Sequence, residues 1–291
     1  MQFDIWLPTA NPFTTPEVLA AVGREAEDRA VHAIWVGEHV VTFPEYASSY
    51  PYSSDGRLPL PPETGLLEPF TTLAFLAAHT TTVRLGTAMC LLPQRNPVYT
   101  AKEVATLDWL SNGRIDFGVG VGWLREEFEA LEVPWPRRGA RTDDYLGVLR
   151  SLWCDDLSSF AGDFYSLAPC HQYPKPLQDP HPPIHIGGES DAALRRTARL
   201  AQGWHTFNRP PAGLAAPLAR LDELLQSHGR SRSEITVTVC PYFEGLSADK
   251  VEQYAEAGVD AVSALVFVTA VDDVAEAFDT LGPCMERARS M

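Results

Sequence analysis

The sequence predicts an α/β protein folded as a (β/α)8 TIM barrel with long loops after strand 2 and before strand 5. Three observations predict it. Strand-like and helix-like runs alternate eight times, and the 291 residues suit a barrel, for which about 250 is typical. No linker rich in Ser, Gly or Pro divides the chain, so residues 1–291 read as a single domain.

The strands are short apolar runs: FDIWL at 3–7, AIWV at 33–36, VRLGTAM at 83–89 and IDFGV at 115–119. IHI at 184–186, WHTF at 204–207, ITVTVC at 235–240 and VSALVFV at 262–268 complete the set of eight. Helical patterns lie between and after them, at 15–29, 69–79, 97–110, 140–152, 191–201, 214–228, 248–257 and 271–281. Two segments break the repeat. Residues 41–66 and 153–182 are rich in proline and aromatic residues and lack either period, so both are expected to be ordered loops covering one mouth of the barrel.

Composition removes several classes of function. A net charge of -15 opposes binding to a phosphate backbone, which needs clustered Lys and Arg, so no nucleic-acid partner is expected. No apolar run approaches the roughly 18 residues of a membrane span. The five cysteines, at 90, 154, 170, 240 and 284, form no C-x-x-C pair or disulfide framework, which fits a reducing cytoplasmic setting.

In a barrel the chemistry sits at the carboxyl ends of the strands. After strand 2 stands His39, a residue type suited to general acid-base work, with Glu38 beside it. After strand 4, Gly118, Gly120 and Gly122 alternate, but Trp123 stands where a dinucleotide fingerprint needs its third glycine. After strand 5, Gly187 and Gly188 allow close backbone approach, Ser190 can cap the next helix, and that helix's free N–H groups suit a phosphate. Glu189 opposes an anion there unless its side chain turns away. His171, His181 and His185 lie near Cys170 in sequence without a preformed ligand pattern, so no metal is expected. There is no G-x-S-x-G elbow and no P-loop.

Together "AIWVGEH", "VRLGTAMCLLPQRNPVYTAKEVATLDWLSNGRIDFGVGVGWLREEFEALEV", "RRGARTDDYLGVLRSLW" and "YPKPLQDPHPPIHIGGESDAALRRTARLAQGWHTF" resemble the bacterial luciferase-like monooxygenase superfamily. More narrowly the chain is similar to the branch that uses the deazaflavin coenzyme F420. The resemblance implies a TIM barrel with the cofactor across the carboxyl mouth, and a non-proline cis peptide at Ala88-Met89, with Thr87 before it, behind the ring. It further implies that His39 is the active-site histidine, with Glu38 where F420 enzymes often have Asp. Gly120, Val121 and Gly122 would pass beside the ring, and Gly187, Gly188, Glu189 and Ser190 would form the phosphate turn.

One departure bears on the substrate. The family's sugar-phosphate dehydrogenases carry a glutamate where this chain has Trp123, and a tryptophan where it has Phe43, which points to a more apolar or aromatic substrate face. The resemblance thus implies an F420-dependent oxidoreductase acting on a small organic molecule. The alternatives are an FMN-dependent monooxygenase fed by a separate reductase, and a non-catalytic barrel relative. The anionic tail of F420 would need a local basic patch, for which Arg95, Arg125 and Arg196 are candidates, and a homodimer is expected by analogy.

Overall fold

The computed structural model describes residues 1–61 and 63–291. Eight parallel strands form the barrel wall: β1 (Gln2–Leu7), β2 (Ala33–Val36), β3 (Arg84–Thr87), β4 (Ile115–Gly120), β5 (Ile184–Gly187), β6 (Gly203–Phe207), β7 (Thr236–Cys240) and β8 (Ala261–Leu265). Each pairs with the next, β8 pairs with β1, and the ladder between β4 and β5 completes the ring. Outside it lie α1 (Pro16–Asp28), α2 (Pro69–His79), α3 (Pro97–Leu110), α4 (Arg138–Cys154), α5 (Asp191–Leu200), α6 (Ala215–Ser227), α7 (Ala248–Glu256) and α8 (Val274–Arg289). Proline opens α1, α2 and α3, where its missing N–H would be unpaired in any case, and Thr15, Glu68 and Asn96 cap those helices through their side chains.

Strand alternation separates two cores. Phe3, Ile5, Leu7, Ile34, Val36, Phe117 and Val119 point outward into the helical layer, while Trp6, Ala33, Trp35, Ala88 and Cys240 form a second cluster inside. The interior below that cluster is polar. Trp35 Nε1 donates to Asp4 Oδ2 at 2.8 Å, Arg84 grips Asp116 with Nε at 2.6 Å and Nη2 at 2.9 Å, and His185 Nε2 lies 3.3 Å from the same carboxylate. Burial would raise the Asp116 pKa, but His185 and Arg84 outweigh it and hold the group at about 2. Among the described residues His185 Nδ1, both ring nitrogens of His205, Thr238 Oγ1 and Ser263 Oγ meet no hydrogen-bond partner. Buried polar groups of this kind are ordinarily satisfied by internal water.

Two expectations are corrected. The third strand stops at Thr87; a cis peptide follows at Ala88-Met89, as the resemblance implied, and Cys90–Leu91 pairs again with β4 as a separate short strand. The segment 153–182 does not cover the mouth. It carries a hairpin, Ser158–Ala161 with Ser166–Cys170, then runs along α3, where Leu177 N and Gln178 N donate to Asp108 at 2.7 and 3.0 Å. Gln178 also bonds Arg84 and the Ile115 carbonyl, the first residues of β3 and β4, and so lies at the amino ends of the strands. The reason is topological: a connection from a helix to the next strand returns to the amino face.

His205 gives a test of the buried interior. Burial, with His185 adding to it, pushes its pKa down to about 3, so the imidazole is neutral in the folded barrel while the unfolded chain takes up a proton near 6.5. This contribution is therefore complete above about pH 6.5 and is lost as the pH falls, by roughly 1.4 kcal/mol per unit until about pH 3. His205→Phe, which keeps a ring against Trp35 and Phe207, is expected to lose about 2 to 3 kcal/mol less than the parent between about pH 6.5 and 4.5. Urea unfolding at each pH measures it, and equal slopes would refute it.

Candidate active site at the carboxyl mouth

The chain leaving β2 passes through Gly37, Glu38 and His39, and the two titratable side chains have different surroundings. Glu38 is buried. Its Oε2 accepts from Leu91 N at 2.6 Å, and its Oε1 from Arg95 Nε at 2.8 Å. Arg95 also reaches Glu68 and Glu103, so one guanidinium gathers three carboxylates behind the mouth. Glu38 thus borders the cavity with both oxygens engaged, which makes it a brace for the segment after β3 rather than the catalytic partner expected beside His39.

That partner comes from another strand end. The turn after β4 leads into a short helix, Arg125–Ala130, whose first turn carries Glu126 and Glu127. Glu127 is fully buried; its Oε2 lies 3.3 Å from His39 Nδ1 and accepts from Gln94 Nε2 at 3.1 Å, while its Oε1 accepts from Val40 N at 2.6 Å. Burial works to raise its pKa, yet His39, Gln94 and the Val40 N–H outweigh that and lower it, keeping the carboxylate ionised. On the other edge of the imidazole, Trp123 Nε1 donates to His39 Nε2 at 3.3 Å. Because Nε2 accepts, the proton belongs on Nδ1, which donates to Glu127.

Glu126 extends the same helix's hold to the long loop. Its carboxylate accepts from Ala47 N at 2.6 Å and from Ser48 Oγ at 2.7 Å, and Ser48 Oγ accepts from Arg125 N. The helix after the alternating glycines therefore clamps the loop and the histidine, a job that its resemblance to a nucleotide-binding turn did not suggest.

Ala88, Met89, Gly120, Val121, Gly122, Gly187, Gly188, Glu189 and Ser190, together with His39 and Glu38, all border one cavity of about 460 Å³. The glycines answer first to the chain's own packing. A Cβ at Gly187 would stand 2.5 Å from Met89 Cγ, and one at Gly122, where φ is +79°, would stand 2.7 Å from the Phe128 ring. Thr87 departs from expectation: its hydroxyl donates to the Gly118 carbonyl at 2.7 Å and does not border the cavity.

At the β5 turn, Glu189 turns from the helix start and accepts from Phe207 N at 3.0 Å and Arg209 Nε at 2.9 Å. Ser190 caps α5, accepting from Ala193 N at 3.2 Å. The backbone end of α5 thus faces the mouth with its acidic neighbour neutralised. Arg95, Arg125 and Arg196 do not supply a free basic patch, since each is paired with carboxylates. Among the described residues no His, Cys, Asp and Glu side chains gather as a metal site, and no helix is long and apolar enough to cross a membrane.

Glu127 had only proximity in sequence to a glycine turn, and nothing in that spacing singled it out from Glu126. The Glu38 brace is tested by Arg95→Met, which leaves Glu38 buried and unpaired. A loss of about 3 to 5 kcal/mol in urea unfolding is expected, and an unchanged midpoint would show that Glu38 does not depend on Arg95.

Over residues 1–277 the chain matches the family described as luciferase-like monooxygenase. An uncharacterized protein of Mycobacterium tuberculosis is 32% identical over 265 residues, covering 90% of each chain. The FMNH2-dependent dimethylsulfone monooxygenase of Pseudomonas putida is 37% identical over 147 residues, which are 49% of this chain and 40% of that one. A solved structure of an F420-dependent secondary alcohol dehydrogenase with an F420-acetone adduct superposes with a TM-score of 0.77 over 98% of each chain. Its 16% identity makes that a likeness of fold. The extent of the family match and the closed barrel lead to one conclusion: the chain belongs to the luciferase-like monooxygenase family, whose members are flavin- or deazaflavin-dependent oxidoreductases or monooxygenases.

Proposed function

We propose that the protein is an F420-dependent oxidoreductase that exchanges a hydride with a small alcohol or ketone at the barrel mouth. The observation that carries this reading is the pairing of the cavity with His39, an imidazole whose far side rests on a buried, ionised carboxylate.

The residues present fit a bound deazaflavin. A cavity of about 460 Å³ lies within the roughly 300 to 1,000 Å³ usual for cofactor and ligand sites. Ala88, Met89, Gly120, Val121 and Gly122 would border the ring. Gly187, Gly188 and Ser190, with the N–H groups that begin α5, would meet a phosphate. A neighbouring groove of about 790 Å³ shares Tyr52, Glu189 and Phe207 with the cavity and carries Arg57. Among the described residues Arg57 meets no carboxylate through its side chain; its guanidinium donates to the Tyr46 carbonyl at 3.0 Å and lies over the Tyr46 ring. An anionic cofactor tail would meet Arg57 there, a cation that no ion pair among the described residues holds although Asp55 in the same groove feels its charge, and this supports F420 over FMN.

When bound, the cofactor supplies the carbon that takes or gives the hydride. The chain's part is to manage the proton. A substrate hydroxyl that displaces the Trp123 indole from His39 Nε2 gives its proton to that nitrogen as the carbonyl forms, and Glu127 balances the imidazolium through Nδ1. The loop held by Glu126 screens the mouth from bulk water.

A second reading, an FMN-dependent monooxygenase receiving reduced flavin from a separate reductase, is favoured by the 37% identity to the dimethylsulfone enzyme. Fluorescence titration of the purified protein with each cofactor separates the two. F420 is expected to bind at least tenfold more tightly, and FMN binding tenfold tighter would replace the deazaflavin reading with the flavin one.

His39→Ala is expected to slow single-turnover hydride transfer by about 10²- to 10⁴-fold with cofactor affinity retained. Unchanged transfer at saturating cofactor and substrate would remove His39 from the mechanism.

A further inference from the structure

Six aromatic rings follow one another around the cavity and come from five separate places in the chain. Trp123 follows β4, Tyr50 and Tyr52 belong to the loop after β2, and Phe207, Trp6 and Tyr242 lie in or just after β6, β1 and β7. Successive ring centres are 5.1 Å apart for Trp123 and Tyr50, 5.5 Å for Tyr50 and Tyr52, and 5.4 Å for Tyr52 and Phe207. The series continues at 6.5 Å from Phe207 to Trp6 and 5.1 Å from Trp6 to Tyr242.

The geometry of these pairs decides what they can hold. Except for Tyr52 with Phe207, tilted at 44°, they meet edge to face at 65° to 86°. In each edge-to-face pair the edge of one ring meets the face of its neighbour, so the rings hold one another in place as a continuous apolar wall. Its charges are closed as well. Of the two carboxylates on the cavity wall, Glu38 is paired with Arg95 and Glu189 with Arg209, leaving none free for a cationic substrate, and among the described residues no Lys or Arg lines the cavity to pair with an anionic one.

What stays open is hydrogen-bond donation. The hydroxyls of Tyr50, Tyr52 and Tyr242 have no partner among the described residues. Burial raises the pKa of all three, that of Tyr242 to about 12, so each remains a protonated donor. Leu58, Leu60 and Leu66 supply the apolar remainder of the loop's wall.

We propose that the substrate is an uncharged ring compound, aromatic or alicyclic, carrying a hydrogen-bond-accepting oxygen, and that Trp123 is the residue that selects it. The flat body of the molecule lies along the arc against the Trp123 ring, and its oxygen takes the place of the indole N–H beside His39 Nε2, within reach of a tyrosine hydroxyl. This rests on reading the mouth as the substrate site of an oxidoreductase, and it adds the substrate's class to that reading.

Binding measured on the protein, by quenching of intrinsic tryptophan fluorescence with and without bound cofactor, tests it independently of turnover. The probes are acetophenone and cyclohexanone as neutral rings, benzoate and benzylamine as charged rings, acetone as the acyclic ketone, and ethylbenzene as the ring without oxygen. Acetophenone and cyclohexanone are expected to bind at least tenfold more tightly than either charged ring and than acetone. Tyr50→Phe combined with Tyr52→Phe is expected to narrow the preference for acetophenone over ethylbenzene, and Trp123→Ala to weaken acetophenone about tenfold while leaving cofactor affinity within about threefold. Benzoate or benzylamine binding as tightly as acetophenone, or a Trp123→Ala variant with unaltered acetophenone affinity, would overturn the proposal. Failure of the cofactor to bind would instead overturn the functional reading, because the probe titration without cofactor still reports on the ring arc.

Discussion

The arrangement of the mouth depends on the burial of one carboxylate. Glu127 is removed from solvent entirely and is kept ionised by the Val40 amide, the Gln94 side chain and His39. A charge in that position without such donors would be expensive by several kcal/mol. The donors come from the chain after β2 and the chain after β3, and the carboxylate from the helix after β4, so satisfying one group aligns three strand ends. The same alignment sets the tautomer of His39, since a ring that donates to Glu127 from Nδ1 must accept at Nε2, where Trp123 stands.

The barrel beneath supports this arrangement with an unusual interior. Where many barrels pack branched apolar residues in layers, this one encloses Asp4, Asp116, His185 and His205 around the edge-on ring of Trp35. Asp4 is bonded by Trp35 and Asp116 by Arg84, whereas the far side, from His205 to Ser263, presents polar atoms without partners among the described residues. Trp6, whose indole donates to the Ala88 carbonyl at 3.2 Å, separates this polar layer from the cavity and is also part of the ring arc. The floor of the site and the lid of the interior are therefore the same side chain.

The two ends of the barrel divide the labour. The loop after β2 lies over the carboxyl mouth, pinned by Glu126 and by the antiparallel pairing of Ala10–Asn11 with Gly65–Leu66. The segment before β5 returns to the amino ends and closes them through Gln178. The first borders the cavity and the second the barrel's base, although the two segments look alike in composition.

The amino-acid sequence by itself determined the barrel, because eight alternations of apolar strand and amphipathic helix admit few other architectures, and it placed His39 and both glycine turns at strand ends. The cis peptide was accessible only through resemblance, from "LGTAM". Tertiary structure alone decided the roles of the carboxylates. Glu38, adjacent to His39 in sequence, points to Arg95, and Glu127, 88 residues away, reaches the imidazole. Gly187 and Gly122, which read as space for a ligand, border the cavity and also make room for Met89 and Phe128. The physical reason is common to all of these. Strand and helix periods are local properties that short stretches carry, whereas a buried charge takes whichever donors the closed barrel brings within hydrogen-bond distance, and that depends on how separate strand ends meet.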